Sequence, residues 1–340
     1  MNTSRDVQRT GLQLTADYAA GASPIELLSG DDVLAVLGFG DAAPAAEAVG
    51  DARYLRVPLQ PFADTPRFEV WRSATGVVTA REASIRHAHD GELQYGSLEI
   101  EEGDGGILEA SERAYARLAR FWREGGYPHV LRIWNYLDAI TAGEGDAERY
   151  RQFCVGRVRG LGGVDVGTLP AATAIGSRDG RRILQVYWLA SRQPGTSLEN
   201  PRQLSAYHYP REHGPQSPSF ARAMLPPAQA RMPLFLSGTA SIVGHASRHL
   251  DSLASQLDET LANLDSLVAT ARLQRPSLAA HLDHGTLLKV YVRDAEHAAL
   301  VSDLLDARLP AHVPRLLLHA DICRRELQVE IEGMHGVIVG

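Results

Sequence analysis

The first third of the chain carries short apolar runs that end at turn residues. Residues 33–37 (VLAVL) run into a Gly-Phe-Gly turn, which predicts a buried strand, and residues 54–58 and 68–71 predict further strands. Residues 111–123 (SERAYARLARFWR) place apolar side chains at helical spacing, with Ser111 as a candidate N-cap. We therefore expect strands followed by an amphipathic helix in this part of the chain.

The middle of the chain alternates strand and helix patterns. Residues 130–136 (VLRIWNY) alternate apolar and polar side chains, which indicates a strand, and residues 146–159 have helical spacing. Residues 171–175 and 183–190 follow as strands. The second of these is apolar on both faces, so we expect it inside a sheet.

The last third predicts a long helix and a closing set of strands. Leucine recurs at helical spacing over residues 247–271, so one face of this helix should contact the core. A strand at 287–292, a helix at 295–305 and strands at 315–322 and 326–332 complete the pattern. Strands that alternate with helices over most of the chain predict an α/β or α+β fold with sheet and helix layers.

The composition is that of a globular protein. The 340 residues are 44% hydrophobic and 22% charged, and a formal charge of −7 disfavours a nucleic-acid or anionic-membrane partner. No apolar run approaches the ~20 residues that span a bilayer, and the first residues lack a signal-peptide core. Cys154 and Cys323 are too few for a disulfide framework. We expect a cytoplasmic protein.

One stretch, residues 200–249, has an unusual composition for a loop. It concentrates arginine, tyrosine and histidine around Pro/Gly turns and then enters a short apolar run that ends at Ser237-Gly238. Its arginines and tyrosines are Arg202, Tyr207, Tyr209, Arg211, Arg222, Arg231 and Arg248. Forked and phenolic donors of this kind bind planar carboxylates or phosphates, so the stretch predicts an anion-binding active-site segment. The alternative is a long polar loop with incidental arginines.

Other chemistries have less support in the pattern. His245 and His249 have the spacing of a two-histidine metal pair, but no H-E-x-x-H motif accompanies them, so we predict no metal and no cofactor. The iron ligands of a pteridine-dependent oxygenase are likewise not visible. Cys323 could act as a thiolate nucleophile beside Arg324 and Arg325. Arginines in a strand point to opposite faces, however, which favours an inert, buried cysteine.

The second half of the chain resembles the RidA/YjgF-type fold. The resemblance lies in a strand with Ser237-Gly238, the long helix, a KVYV strand (289–292) and a closing VEIE strand (329–332). Within that superfamily the chain is similar to the chorismatases, enzymes that remove the enolpyruvyl group of chorismate as pyruvate. Six motifs carry this similarity: RIWNYL (132–137), YRQFCVGR (150–157), PAATAIG (170–176), ENPRQLSAYHYP (199–210), GPQSPSFARA (214–223) and SGTASIVGH (237–245).

The resemblance implies an architecture and a reaction. It implies an α+β chain of two RidA/YjgF-like units of mixed sheet packed with helices, an N-terminal one at residues 1–140 and a catalytic one at residues 141–340. RidA-like proteins build their sites between subunits. This chain is long enough for two units, so we expect a monomer with an internal site. The implied reaction needs no cofactor and converts chorismate to pyruvate and 3-hydroxybenzoate, and some members also form 4-hydroxybenzoate.

The resemblance also implies substrate-binding residues. Chorismate is a dicarboxylate with an enol ether, so its site must bind carboxylates and protonate the enol-ether methylene carbon. Arg157, Tyr207 and Arg222 lie in the matching motifs and can donate to carboxylates. Arg202 is expected to bind substrate with them or to brace the tyrosine.

The resemblance places a catalytic glutamate in the VEIE strand, and we favour Glu330 over Glu332. Period-two alternation puts both on one face, so periodicity does not choose between them. An acid that protonates carbon needs a raised pKa, which a buried site provides. Cys323 is implied as a catalytic-site marker of the 3-hydroxybenzoate branch. The alternatives are the hydrolytic branch, which forms a dihydroxycyclohexadiene carboxylate, and a RidA-like module that senses a small carboxylate or deaminates an imine.

Overall fold

The computed structural model describes residues 11–63, 67–163 and 165–337. It consists of mixed sheets and helices, so the predicted α+β class is confirmed. The strands are β1 (Leu14–Ala20), β2 (Val33–Phe39), β3 (Tyr54–Val57), β4 (Gln60–Pro61), β5 (Arg67–Ser73), β6 (Val78–Glu82), β7 (Ile85–His89), β8 (Leu93–Glu101), β9 (His129–Asp138), β10 (Ala171–Ser177), β11 (Ile183–Ser191), β12 (Thr196–Leu198), β13 (Ala223–Leu225), β14 (Leu234–Ala240), β15 (Ile242–Val243), β16 (Ala246–Ser247), β17 (Thr286–Val292), β18 (Arg315–His319) and β19 (Val329–His335). The α-helices are α1 (Pro24–Leu27), α2 (Ala46–Val49), α3 (Gly106–Glu124), α4 (Arg149–Leu161), α5 (Leu253–Gln274) and α6 (Ala298–Arg308).

Three large sheets form the framework of the described residues. Their strand orders are β1-β5-β2-β3, β10-β9-β11-β8-β7-β6 and β12-β13-β14-β19-β17-β18-β4. Each sheet contains one parallel pair, and the other strand pairs of the three sheets are antiparallel. Apolar side chains from all three sheets, including Trp71, Trp134 and Phe235, meet in one core. Helices α3 and α4 cover the six-stranded sheet, and α5 covers the seven-stranded one.

Two glycines of α4 allow it to approach α3 closely. A Cβ atom on Gly156 would come within 2.1 Å of the Leu108 carbonyl oxygen, and one on Gly160 within 2.4 Å of the Glu112 carbonyl oxygen. Only a residue without a side chain fits such a backbone-to-backbone contact. This contact fixes the position of α4, which carries Arg157 on its buried side.

The two long helices begin at different residues from those predicted. Helix α3 begins one turn before Ser111, which is not an N-cap but lies buried in the helix and donates a hydrogen bond from Oγ to the Ile107 carbonyl oxygen (2.6 Å). Helix α5 begins at Leu253 because Ser252 caps it by accepting the backbone N–H of Ser255. Leu250 therefore lies outside the helix and is exposed.

The strand predicted at residues 315–322 ends early, at His319. Asp321 leaves the direction of β18 and exchanges both backbone hydrogen bonds with Gly176 of β10. Cys323, Arg324 and Arg325 therefore lie in the turn before β19, and the argument from opposite faces of a strand was wrong. The same turn brings Cys323 toward the site described below.

The predicted division at residue 140 passes through the six-stranded sheet. Strand β9 ends just before it, whereas its neighbours β10 and β11 both follow it. A cut at residue 140 would therefore separate strands that pair along their whole length. We propose that the second unit begins after β11.

Candidate active site

A cavity of about 280 Å³ lies where β10 meets β14, next to α4. Part of its wall consists of alanines of β10 and β14 (Ala172, Ala174 and Ala240) and of Ile242 in β15, and the loop before β13 and the turn before β19 contribute further residues. The polar side chains that line it include Arg157, Thr173, Tyr209, Arg222, Cys323 and Glu330. Four of the six site residues predicted from sequence therefore share this cavity.

The Ser237-Gly238 pair makes room for the carboxylate of Glu330. Antiparallel pairing of β14 with β19 shifts register between Leu236 and Thr239, which produces a bulge. Ser237 Oγ accepts the Ala172 N–H (2.9 Å) and thereby ties the bulge to β10. Gly238 faces Glu330, and a Cβ there would lie 2.0 Å from Oε1. The bulge and the glycine together hold open the space that the carboxylate occupies.

Glu330 is a buried acid that faces the cavity. Only 4% of its surface is exposed. Burial, and then the neighbouring charge of Glu332, raises the pKa of Glu330 to about 8, although Arg132 and Arg222 act in the opposite direction. At neutral pH the side chain is therefore largely protonated and can donate a proton to a bound molecule.

Glu332 lies two residues further along the same strand but has a different environment. It accepts hydrogen bonds from Arg132 Nη2 (2.7 Å), Trp134 Nε1 (2.6 Å), Lys289 Nζ (3.1 Å) and Thr173 Oγ1. Burial alone would raise the pKa of Glu332, but Lys289 and Arg132 outweigh it and hold this pKa below its ordinary value. Glu332 is thus an ionised, fully bonded carboxylate of the interior, whereas Glu330 is the carboxyl group of the pair that is largely protonated at neutral pH.

Arg157 and Arg222 supply positive charge to the same cavity. Both are at least nine-tenths buried, with 4% and 3% of their surfaces exposed. Within the described residues, the Nε atom of each is buried without a hydrogen-bond partner. Arg157 lies over the ring of Tyr115 (5.0 Å) and Arg222 over that of Phe220 (5.1 Å). Unpaired buried donors are costly, so these two point to an anionic ligand that completes their bonding.

Tyr209, and not Tyr207, is the tyrosine that lines the cavity. Its hydroxyl accepts a hydrogen bond from Arg222 Nη2 (2.7 Å). Tyr207 is half-buried and packs against His208 outside the cavity lining. Because of the short 3₁₀ turn Ala206–His208, the side chains of the two tyrosines point in different directions. No local signal in the sequence distinguishes them.

Arg202 also lies outside the cavity lining. Its guanidinium pairs with Glu259 and donates from Nε to the Asn263 side-chain oxygen (2.9 Å), and both of these residues belong to α5. Its backbone carbonyl accepts the Gly244 N–H (2.9 Å). Arg202 therefore holds its own loop against α5 and does not line the cavity.

Both cysteines border the cavity as neutral thiols. Burial, followed by the nearby charge of Glu330, raises the pKa of the Cys323 thiol far above its ordinary value. Burial raises the pKa of Cys154 to about 12. A thiolate nucleophile needs a lowered pKa, so the geometry disfavours nucleophilic catalysis by Cys323. Its thiol instead contributes a small apolar surface to the wall beside Glu330.

His245 and His249, whose spacing resembles that of a metal-binding pair, do not contact each other. His249 lies 3.3 Å from Glu259 Oε2, whereas His245 contacts His213 at the cavity side of the loop. Thr173 and Gly238 were not singled out as site residues, although both lie in motifs that the sequence analysis noted. Their roles depend on contacts between β10, β14 and β19, which no local pattern encodes.

The fold and the cavity define an enzyme-like site in which a buried carboxylic acid lies near two guanidinium groups whose Nε atoms have no partner among the described residues. The family model described as "Chorismatase FkbO/Hyg5-like, N-terminal" matches residues 69–190. A "Chorismatase" of Streptomyces hygroscopicus is 35% identical, over 96% of this chain and 97% of that protein. A "3-hydroxybenzoate synthase" of the same organism is 32% identical, over 94% of this chain and 96% of that protein.

A crystal structure of a chorismatase, solved at 1.08 Å resolution, superimposes with a TM-score of 0.81 at 32% identity. The match covers 95% of this chain and 98% of that one. The chain belongs to the chorismatase family and is an enzyme of that family. Within the described residues, no helix has the length and apolarity to cross a membrane.

Proposed function

We propose that this enzyme cleaves chorismate and releases pyruvate together with 3-hydroxybenzoate. The observation that carries the proposal is the pairing, in one cavity, of a carboxylic acid with a pKa of about 8 and two buried, incompletely bonded guanidinium groups. A dicarboxylate with an acid-labile enol ether matches that combination. The similarity to proteins named chorismatase and 3-hydroxybenzoate synthase supports the same substrate.

In the proposed reaction, Arg157 and Arg222 bind the carboxylates and Glu330 acts as the general acid. Glu330 gives its proton to the methylene carbon of the enol ether. This creates an oxocarbenium ion next to the carboxylate of the enolpyruvyl group. A ring hydroxyl then attacks the ring carbon that bears the ether oxygen. The carbon–oxygen bond breaks and pyruvate leaves with the ether oxygen. The attacking oxygen gives up its proton and bridges two ring carbons as an epoxide. Its bond to the carbon that first carried it then breaks, the attacked carbon loses its proton and the ring becomes aromatic. The oxygen regains one proton and Glu330 recovers the other, so no water is consumed.

The choice of product depends on the exclusion of water from the oxocarbenium ion. Cys323 and Ala240 contribute small, unionised surfaces to the wall near Glu330. A water molecule held there would divert the reaction to hydrolysis and a dihydroxycyclohexadiene carboxylate. We propose that the wall formed by Cys323 and Ala240 favours attack by the ring hydroxyl over attack by water. 4-Hydroxybenzoate is then a minor product.

The test is to incubate metal-stripped protein with chorismate and to follow pyruvate and aromatic products by enzymatic assay and chromatography. The amount of pyruvate should equal the sum of 3-hydroxybenzoate, as the main product, and 4-hydroxybenzoate, as the minor one. Pyruvate with a non-aromatic diol would retain the family reaction and reject the proposed product. No pyruvate would reject the function and favour the ligand-binding module considered from the sequence.

Two variants distinguish the loss of the catalytic acid from a general effect of a substitution on the fold. Glu330→Gln keeps the size of the side chain but has no proton to donate, so pyruvate release should fall by roughly 10²- to 10⁴-fold while chorismate still binds. Glu296→Gln alters an exposed glutamate and should keep full activity. Undiminished turnover in Glu330→Gln would remove Glu330 from the mechanism.

We also propose that the enzyme works as a monomer in the cytoplasm. The proposal is supported by the meeting of Glu330, Arg157 and Arg222 in one cavity of a single chain, because such a site does not need a residue from a second subunit. Both cysteines are free thiols, which suits a reducing compartment. Light scattering coupled to gel filtration should give a mass near 36.9 kDa, and a trimer would contradict the proposal.

A further inference from the structure

Three potential metal ligands meet beside the cavity, and the proposed reaction uses none of them. Glu212 and His213 end the short 3₁₀ turn Arg211–His213, and His245 belongs to the loop of the β15-β16 hairpin. Their donor atoms lie within 4.8 Å of one another. His213 also lines the cavity. The sequence analysis predicted no metal from the spacing of His245 and His249, and the side chains that do contact His245 lie 32 and 33 residues earlier in the chain.

The donor atoms form a nearly equilateral triangle. His213 Nε2 lies 3.1 Å from His245 Nδ1 and 3.4 Å from Glu212 Oε1, and His245 Nδ1 lies 3.3 Å from Glu212 Oε1. Zinc binds nitrogen and oxygen ligands at about 2.0 to 2.1 Å, and the edges of a regular tetrahedron of that size measure about 3.3 to 3.4 Å. Three corners of such a tetrahedron are therefore already formed. We propose that Glu212, His213 and His245 bind a divalent transition-metal ion of the zinc type.

The surroundings hold the two histidines in place. Arg324 donates from Nη1 to the His245 carbonyl oxygen (2.9 Å) and to Ser247 Oγ (3.1 Å), which fixes the hairpin that carries His245. The ring of Tyr209 packs against the His213 ring at 5.1 Å. Because side chains positioned in advance lose little freedom on binding, this bracing favours metal affinity.

The ligand set determines the class of ion. Two imidazoles and one carboxylate favour zinc-like ions over magnesium or calcium, which prefer oxygen ligands. The Glu212 carboxylate supplies one negative charge, which offsets the neighbouring Arg324 guanidinium. With 64% of the Glu212 side chain and 40% of the His245 side chain exposed, an ion from solution can reach the site. A water molecule or a carboxylate oxygen would take the fourth position.

A bound ion would connect two segments that are otherwise distant in the chain. The loop with Glu212 and His213 continues into the segment that carries Arg222, and the hairpin with His245 follows the bulge at Gly238. Metal binding should therefore rigidify the rim of the cavity and raise the melting temperature, because an ion that binds only the folded state stabilises it. This inference does not depend on the proposed function, since it concerns binding and not chorismate cleavage.

The experiment is equilibrium dialysis of metal-stripped full-length protein against zinc chloride, with zinc measured by atomic absorption. Wild-type protein should bind one zinc ion per chain. His213→Gln and His245→Gln should each weaken binding by at least about 100-fold, because they remove a direct ligand. His249→Gln is the matched control, a histidine of the same segment that lies by Glu259, and it should bind as wild type does.

Thermal unfolding with and without zinc provides the second measurement. Zinc should raise the melting temperature of the wild type and of His249→Gln but not that of His245→Gln, and circular dichroism checks that each variant is folded. Absence of stoichiometric binding to the wild type would overturn the proposal and leave a histidine–histidine hydrogen bond in its place. Equal loss in His249→Gln would also overturn it, since binding would then be nonspecific.

Discussion

The carboxylate of Glu330 lies directly against Gly238, so close that a Cβ atom on Gly238 would come within 2.0 Å of Oε1. The contact exists because the bulge in β14 turns the Gly238 backbone toward the cavity at the point where β19 presents Glu330. The Glu330 carboxylate can therefore occupy this position because residue 238 has no side chain.

Gly238→Ala should reduce the turnover rate by about 100-fold, because a displacement of ~1 Å at a reacting group has an effect of that size. Pyruvate release under saturating chorismate measures it. Gly103→Ala is the matched control, since nothing lies within 4 Å of a Cβ at Gly103. Equal activity of Gly238→Ala and wild type would show that the carboxylate does not need its present position.

The reaction should lose activity as the pH rises through about 8, the pKa to which burial and Glu332 raise Glu330. The general acid must be protonated in the free enzyme, so kcat/KM should be high below this pKa and decline tenfold per pH unit above it. A pH series of initial rates measures the profile. An alkaline limb that remains flat to pH 10 would contradict the assignment of Glu330 as the acid.

Glu332→Gln should destabilise the protein by roughly 3 kcal/mol, because it leaves the buried guanidinium group of Arg132 without a carboxylate, whereas Lys289 keeps its pair with Glu69. Urea unfolding followed by fluorescence measures the change. Glu330→Gln is the comparison and should alter stability far less, since its carboxyl is already neutral at pH 7. If both variants lost the same stability, the two glutamates would not have distinct roles.

Arg157→Gln and Arg222→Gln should each raise KM for chorismate by roughly 10- to 100-fold, the equivalent of one charge-assisted hydrogen bond. Steady-state kinetics measure the effect. Arg202→Gln serves as the control, because its guanidinium binds Glu259 and Asn263 outside the cavity lining. A larger effect from Arg202→Gln than from the other two would restore its predicted role as an anchor.

Tyr209→Phe should lower kcat/KM by about tenfold, because it removes one of the two acceptors of Arg222 Nη2 and leaves only the Leu204 carbonyl oxygen to hold the guanidinium group. Tyr207→Phe makes the same chemical change two residues away, outside the cavity lining, and should change kcat/KM by less than about twofold, within the range of neutral surface substitutions. Comparable losses in both variants would indicate a structural role for the loop and not a specific role for Tyr209.

The sequence by itself determined which stretches form the long helix and several of the strands. Through the resemblance, it also predicted most of the chemistry of the site. Periodicity identified the strands that contain Arg132, Glu330 and Glu332 and the long helix, because burial imposes alternation in a strand and helical spacing in a helix. The order of strands and helices predicted the α+β class. The motifs, through resemblance, predicted an anion site with Arg157 and Arg222.

Tertiary structure decided which of two similar residues faces the cavity or stays protonated. Glu330 and Glu332 share a face of β19, and only the partners from β9, β10 and β17 leave one carboxylate ionised and the other protonated. Likewise, only the fold directs Tyr209 into the cavity and joins His245 to His213. These outcomes depend on contacts between residues far apart in the chain, and the spacing of neighbouring residues does not determine such contacts.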